Sequence, residues 1–277
     1  MLALAQCLPG SSVVRSNFLA LLCFFSLAHS AEAQIRRQSD IDARLAKVAM
    51  RFYVAEGPAN FRGRSCTRWI AIEGEFDKGS SKRLTEFIKS NNLTALPVFF
   101  HSTGGLTDEG INIGRELRDL KMRTGVARTE RTCKPADKNC NGNSAQPVAA
   151  VWRDENARCS SACVYALIGG SERWVPEKSS VGVHSTAFFC FSEKGQVVRP
   201  VGNSKDAIDC RKKTAAQMDA LKTFVRDMGI SGDLLSLIEK VPNSQMRYLT
   251  RDELDRFKIN TGEFAAPKAG DSGPPDQ

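Results

Sequence analysis

The sequence contains no H-E-x-x-H, no P-loop and no G-x-G-x-x-G, which removes the usual zinc-peptidase, nucleotide-phosphate and dinucleotide signatures. Histidine is scarce, with three in 277 residues, and no two cysteines stand in C-x-x-C spacing. That leaves little for a zinc site, and no metal or other cofactor is expected. "DKNCNG" imitates the opening of a calcium loop, but Val148 stands where the bidentate Glu belongs. No stretch combines aromatic and basic residues in the manner of nucleic-acid readers. The net charge of +8 therefore points to anionic surfaces such as envelope lipids, with no nucleic-acid partner. No repeat and no interior linker divides the chain, so one large domain is the simplest account. Beyond the first 33 residues nothing is apolar for long enough to span a bilayer.

What is present begins with Arg15 ahead of "SNFLALLCFFSLAHSAEA", an apolar run with an A-x-A pattern at Ala31–Ala33. This reads as a signal peptide over residues 1–33, cleaved before Gln34 and leading to a periplasmic or secreted protein; an uncleaved membrane anchor is the rival reading. The mature chain keeps Cys66, Cys133, Cys140, Cys159, Cys163, Cys190 and Cys210, disulfide candidates in an exported protein. Cys133 with Cys140 and Cys190 with Cys210 bracket polar loops, and each pair is expected to bridge. The remaining count is odd, and Cys163, inside an apolar helix, is expected to be a buried free thiol.

Strand and helix patterns alternate after residue 48, which predicts an α/β fold with a largely parallel sheet over residues 34–264. Strands are predicted at 49–57, 68–76, 96–102, 123–127, 148–153, 172–176 and 180–189, with residues 128–147 as a loop. Helices are predicted at 80–91, 107–121, from the serines at 160 and 161 to the Gly169–Gly170 stop, and at 204–229, 231–241 and 250–257, with a short strand at 246–250. The Pro/Gly segment 265–277 is expected to be disordered. Met218, Leu221, Phe224 and Met228 follow helical spacing, for packing against the body or a second subunit.

Three segments carry the parts of a serine hydrolase: "HSTGG" ending a strand, "CSSAC" opening a helix, and "VGVH" in a strand. Acyl transfer needs a hydroxyl, an imidazole to take its proton, and backbone N–H groups for the oxyanion. A helix start offers free amides beside a serine, and Gly104 and Gly105 allow another amide to approach closely. One of Ser160 and Ser161 would cap the helix while the other faces the sheet edge.

In their order these segments, with "ERWVPEKSSVGVH", resemble the proteolytic subunit of Clp protease, although the spacing from Ser161 to His184 is slightly shorter and the insert around Cys133 and Cys140 has no counterpart. They resemble more closely the exported Clp-protease-like proteins of bacterial envelopes, over roughly residues 66–260. The resemblance implies the Clp/crotonase spiral fold. It places Ser161 on the nucleophile, His184 on the base, Ala162 on one oxyanion donor and Gly105 or Gly104 on the other. Thr103 departs from the family's proline, and no carboxylate stands at the family's third position. Asn243 is nearest and would orient His184 through its side-chain oxygen, with Asp233 or a two-residue site as alternatives. The implied activity is an ATP-independent peptidase on peptides or unfolded protein, without an ATPase partner, and with room for a homo-oligomer. The alternatives are a catalytically inactive scaffold on the same fold, a crotonase-like acyl-thioester enzyme, and a Ser-Lys site using Lys178 or Lys194. His101 is expected to be structural or to line a substrate groove.

Overall fold

A computed structural model of the chain describes residues 48–57, 68–134, 140, 144–186, 190–191, 197–198 and 200–264. The chain divides into residues 1–44 and 45–277, and all described residues belong to the second part. The expected signal segment with its cleavage point at Gln34, Cys66, Lys194 and the tail 265–277 lie outside them.

The fold is mixed α/β with a mostly parallel central sheet. Its strands are β1 (Arg51–Glu56), β2 (Arg68–Glu73), β3 (Val98–His101), β4 (Thr124–Val126), β5 (Arg128–Arg131), β6 (Ser144–Arg153) and β8 (Arg173–Trp174), in the order β5-β6-β1-β2-β3-β4-β8. β2, β3, β4 and β8 run parallel, as do β1 and β6, while the β1–β2 and β5–β6 pairs are antiparallel. A three-stranded sheet, β12 (Arg247–Tyr248), β9 (Ser180–Val183) and β7 (Arg158–Ser160), meets the first just past the end of β3 through a Ser102–Cys159 bridge. β10 (Cys190–Phe191) and β11 (Val197–Val198) form a small antiparallel pair.

Alternation of side chains across the strands gives the sheet two apolar faces. One carries Phe52, Ile70, Ile72, Val98 and Phe100 and packs on α1 (Ser80–Ser90), α2 (Thr107–Asp119) and α3 (Ala162–Ile168). The other carries Tyr53, Trp69, Ala71 and Phe99, covered by Trp152 and Trp174, whose rings stack at 5.2 Å, and by Phe264. α2 meets α3 backbone to backbone: a Cβ on Gly110 would lie 2.2 Å from the Ala162 carbonyl oxygen, so only glycine admits this approach. The remaining helices are α4 (Lys205–Asp227), α5 (Asp233–Ile238) and α6 (Arg251–Arg256). Ser204 caps α4 by accepting from the Ala207 N–H, and Thr250 with Glu253 forms a capping box on α6. Leu221, Phe224 and Met228 are buried and Met218 packs on the same core, so this stripe of α4 faces the body.

Part of the expected loop 128–147 is sheet. β5 alternates beneath its charges: Thr129 is buried and accepts the Trp69 Nε1–H at 3.0 Å, while Glu130 pairs with Arg128 and Arg153. β6 starts at Ser144 rather than Val148, and Pro147 falls where its register with β1 slips, the place a strand tolerates proline. β9 ends at Val183, so residues 184–186 of the expected strand are not part of it, while 187–189 lie outside the described residues; α5 is shorter than the helix expected over 231–241.

Disulfides join Cys133 to Cys140 and Cys190 to Cys210, as expected from their loops. Cys163 is not a free thiol; it bridges Cys159. The bond forms because the chain turns sharply between the end of β7 and the first turn of α3, which brings the two Cα atoms to 5.2 Å. Three bridges suit an oxidising compartment. Among the described residues no helix is long and apolar enough to cross a membrane.

Candidate active site

β7 delivers the serine pair. Its parallel pairing with β9 sets Ser160 opposite Gly182, and the main chain then reverses at Ser161 into α3. Ser161 sits at φ 55°, ψ −123°, a conformation that costs a residue with a Cβ on the order of 1–3 kcal/mol. Its N–H donates to the Gly182 carbonyl at 2.8 Å, and its carbonyl accepts from the Val164 N–H at 3.0 Å. The Cys159–Cys163 bridge closes around the same turn.

Neither serine caps the helix as the sequence suggested. Ser161 occupies the N-cap position without a side-chain cap bond. Ser160 belongs to β7, and its buried Oγ has no hydrogen-bond partner among the described residues. The expectation assumed an ordinary N-cap; a positive φ at Ser161 turns its side chain out of the capping geometry, in which the cap residue is extended.

The glycine turn is held against this serine turn. A Cβ on Gly104 would come within 2.6 Å of the Ser161 Cβ and 2.7 Å of the Ser160 carbonyl oxygen, so the closeness of the two turns depends on glycine there. The Gly104 N–H is taken by the Ser102 Oγ at 3.0 Å, and its carbonyl accepts the Phe76 N–H at 2.8 Å. Gly105 bridges Phe76 through its neighbours' groups, leaving its own N–H without an acceptor among the described residues. The Ala162 N–H, at the first position of α3, is likewise unpaired there. Of the two glycines, Gly105 therefore has the free donor.

Gly105, Ser161, His184 and Asn243 line one cavity of about 150 Å³, whose walls include Val164, Val183 and Ile238. On another wall the Tyr165 hydroxyl meets the Thr186 hydroxyl at 3.0 Å, and burial pushes the Tyr165 phenol up, so it stays protonated. His184 follows β9 directly and is half-buried. Its Nδ1 is 2.9 Å from the Ser185 carbonyl oxygen and 3.1 Å from the Asn243 Nδ2. Asn243 thus reaches His184 with its amide nitrogen, not with the oxygen expected from the sequence, because that nitrogen also donates to the Ser185 carbonyl at 2.9 Å. Among the described residues Ser161 Oγ and the His184 ring make no hydrogen bond to each other.

The other expected participants stand elsewhere. Asp233 opens α5 without lining the cavity. Lys178 pairs at the surface with Glu155 at 2.9 Å, and that bond holds the Glu155 carboxyl down at about 2. His101 is buried in the sheet: its Nδ1 accepts the Arg158 N–H at 3.3 Å, and burial, aided by Arg128, pushes it down to about 4. It is a neutral, structural imidazole. Sequence reasoning missed the Ser185 carbonyl, which has no side-chain signature, and the Cys159–Cys163 bridge around the serine turn.

No family model matches the chain, and no curated protein does. Among solved structures it is similar to a point mutant of ClpP1 from Listeria monocytogenes, at 11% identity and a TM-score of 0.41, covering 67% of this chain and 84% of that one. It is also similar to a point mutant of the 1510-N membrane-bound stomatin-specific protease, at 12% identity and a TM-score of 0.41, covering 78% of this chain and 79% of that one. A second point mutant of 1510-N, in complex with a substrate peptide, gives 14% identity and a TM-score of 0.37, covering 65% of each chain.

Proposed function

We propose that the chain is an exported serine hydrolase of the Clp-protease-like kind, a peptidase that works without ATP and uses Ser161 as nucleophile and His184 as base. The observation that supports this most is the strained Ser161 turn opening on a cavity that also holds His184 and the Gly105 backbone. Backbone strain at a non-glycine residue between a strand and a helix has no stabilising role of its own, and here it would aim the half-buried Ser161 hydroxyl into the cavity. Export is supported by the leader-like segment and the three bridges.

In the proposed reaction the Ser161 Oγ attacks the scissile carbonyl carbon while His184 takes its proton. The oxyanion is held by the N–H groups of Gly105 and Ala162, each donor of this kind contributing roughly 10²–10³ in rate. His184 then returns the proton to the departing amine, which leaves an acyl ester on Ser161. Water then attacks the acyl carbon while His184 takes its proton, and His184 passes that proton to the departing Ser161 Oγ, which releases the acid and restores the hydroxyl. No step requires a metal or a nucleotide.

A second reading, an inactive scaffold on the same fold, draws on the lack, among the described residues, of a Ser161–His184 hydrogen bond and of a carboxylate lining the cavity. Cleavage of a mixed peptide library, read by mass spectrometry, separates the two. The hydrolase reading expects new termini with wild type and none with Ser161→Ala. Equal product profiles from both proteins would leave the scaffold.

A further inference from the structure

The contacts of His184 set its possible proton arrangements against one another, and one of them turns every hydrogen toward an acceptor. Three polar atoms form a triangle: His184 Nδ1, the Ser185 carbonyl oxygen 2.9 Å away, and Asn243 Nδ2, at 3.1 Å from the ring nitrogen and 2.9 Å from the oxygen. If Nδ1 were bare and accepted from Asn243, its lone pair would face the carbonyl oxygen, two acceptors at hydrogen-bond distance. Turning the Asn243 amide over would set its Oδ1 against the same carbonyl, again two acceptors. With Nδ1 protonated, the ring and the amide both donate to one oxygen, which has two lone pairs to receive them. The two donor nitrogens then lie 3.1 Å apart with their hydrogens turned to the shared oxygen, the ordinary arrangement of two donors on one carbonyl.

We propose that His184 is positioned by the main-chain carbonyl of Ser185, and that the Asn243 amide is a strut on that carbonyl and not the imidazole's own acceptor. This deepens the serine-hydrolase reading and rests on it. The carbonyl is well anchored. Ser185 N–H donates to the Val241 carbonyl at 2.8 Å, so the 241–243 turn grips Ser185 from both sides, through its N–H and through its oxygen. β12 then pairs antiparallel with β9 at Gly182 and Val183, tying the segment after this turn to the strand that leads into His184. Protonation at Nδ1 leaves Nε2 bare, the state a general base needs, on a ring that lines the cavity with Ser161. The usual carboxylate is replaced by a neutral carbonyl, which fixes tautomer and orientation without adding a negative charge to the site. Asn243 and Ser185 are positioning residues here.

The test is ¹⁵N NMR of protein carrying labelled histidine, at about pH 8 where an ordinary imidazole is neutral, with His184 assigned by loss of its signals in His184→Gln. The expected spectrum has Nδ1 protonated and Nε2 bare, in wild type and in Asn243→Ala, because the Ser185 carbonyl survives the substitution. Fluorophosphonate labelling of Asn243→Ala should slow by roughly two- to tenfold, the effect of losing one supporting hydrogen bond. A proton on Nε2 in wild type overturns the proposal, as does a tautomer that switches in Asn243→Ala. An unchanged labelling rate in that variant removes the strut. Wild type with protonated Nδ1 that is never labelled supports the positioning and overturns the hydrolase reading instead, so the two fail separately.

Discussion

Removing the Cys159–Cys163 bridge should damage the proposed site more than it damages the fold. The bond spans residues 159–163, and so short a loop restricts the unfolded chain by only about 2 kcal/mol. The strain it encloses is of the same size, since Ser161 at φ 55°, ψ −123° stores on the order of 1–3 kcal/mol. What else holds the turn is local: the Ser161 N–H on the Gly182 carbonyl and the Val164 N–H on the Ser161 carbonyl. Without the bridge, strain and restraint are closely balanced, and a substantial fraction of folded molecules should relax at Ser161. Both sulfurs are fully buried, so a reductant reaches only opened molecules; the double variant Cys159→Ala/Cys163→Ala is the cleaner perturbation. Urea unfolding should show a loss of about 2 kcal/mol. Fluorophosphonate labelling of the still-folded variant, measured far below its unfolding midpoint, should slow by roughly twofold, as expected when about half of the molecules hold the competent turn. A folded variant labelled at the wild-type rate would refute the reasoning and leave the bridge as a mere staple.

Three further outcomes are expected. Gly110→Ala sets a methyl 2.2 Å from the Ala162 carbonyl oxygen, a backbone atom that cannot rotate away. The overpacking should outweigh the helix-propensity gain and cost about 2 kcal/mol net in chemical denaturation, and a variant as stable as wild type would contradict the helix contact. Ser160→Ala removes a buried hydroxyl with no partner among the described residues, so the unfolding midpoint should stay level or rise, whereas a loss of more than about 1 kcal/mol would mean the hydroxyl is bonded. His101 is depressed from its ordinary 6.5 to about 4, so between those values the unfolded chain binds a proton that the folded chain does not. Its contribution is complete above about pH 6.5 and is lost as the pH falls toward 4, and calorimetry should show a pH-dependence across that window that is flatter in His101→Gln.

The parts of the site announced by side chains were readable from the sequence. "STGG", "CSSAC" and "VGVH" each contributed a residue to one cavity, because a glycine turn, a strand-to-helix serine and a strand-end histidine are patterns of residue type and order. The Gly104–Gly105 choice could not be read, since it turns on which N–H the Ser102 hydroxyl takes. The Cys159–Cys163 bridge was hidden because Cys163 inside an apolar helix reads as packing, while the turn at Ser161 that sets Cys159 beside it is a backbone feature without a residue signature. β5 was masked by charges on its exposed positions, although Thr129 kept the two-residue period. Asn243 was placed correctly beside His184 but with the wrong end of its amide, because the decisive atom is a main-chain carbonyl.

The central claim is that Ser161 is an activated nucleophile, and its most direct measurement is peptide mapping by mass spectrometry after fluorophosphonate treatment of folded, fully oxidised protein. The account predicts one phosphonyl group per chain on Ser161, none in Ser161→Ala, a strongly reduced rate in His184→Ala and full labelling in Ser160→Ala. Folded wild type that stays unmodified across the neutral and alkaline pH range would contradict it, and so would labelling that persists in Ser161→Ala and disappears in Ser160→Ala.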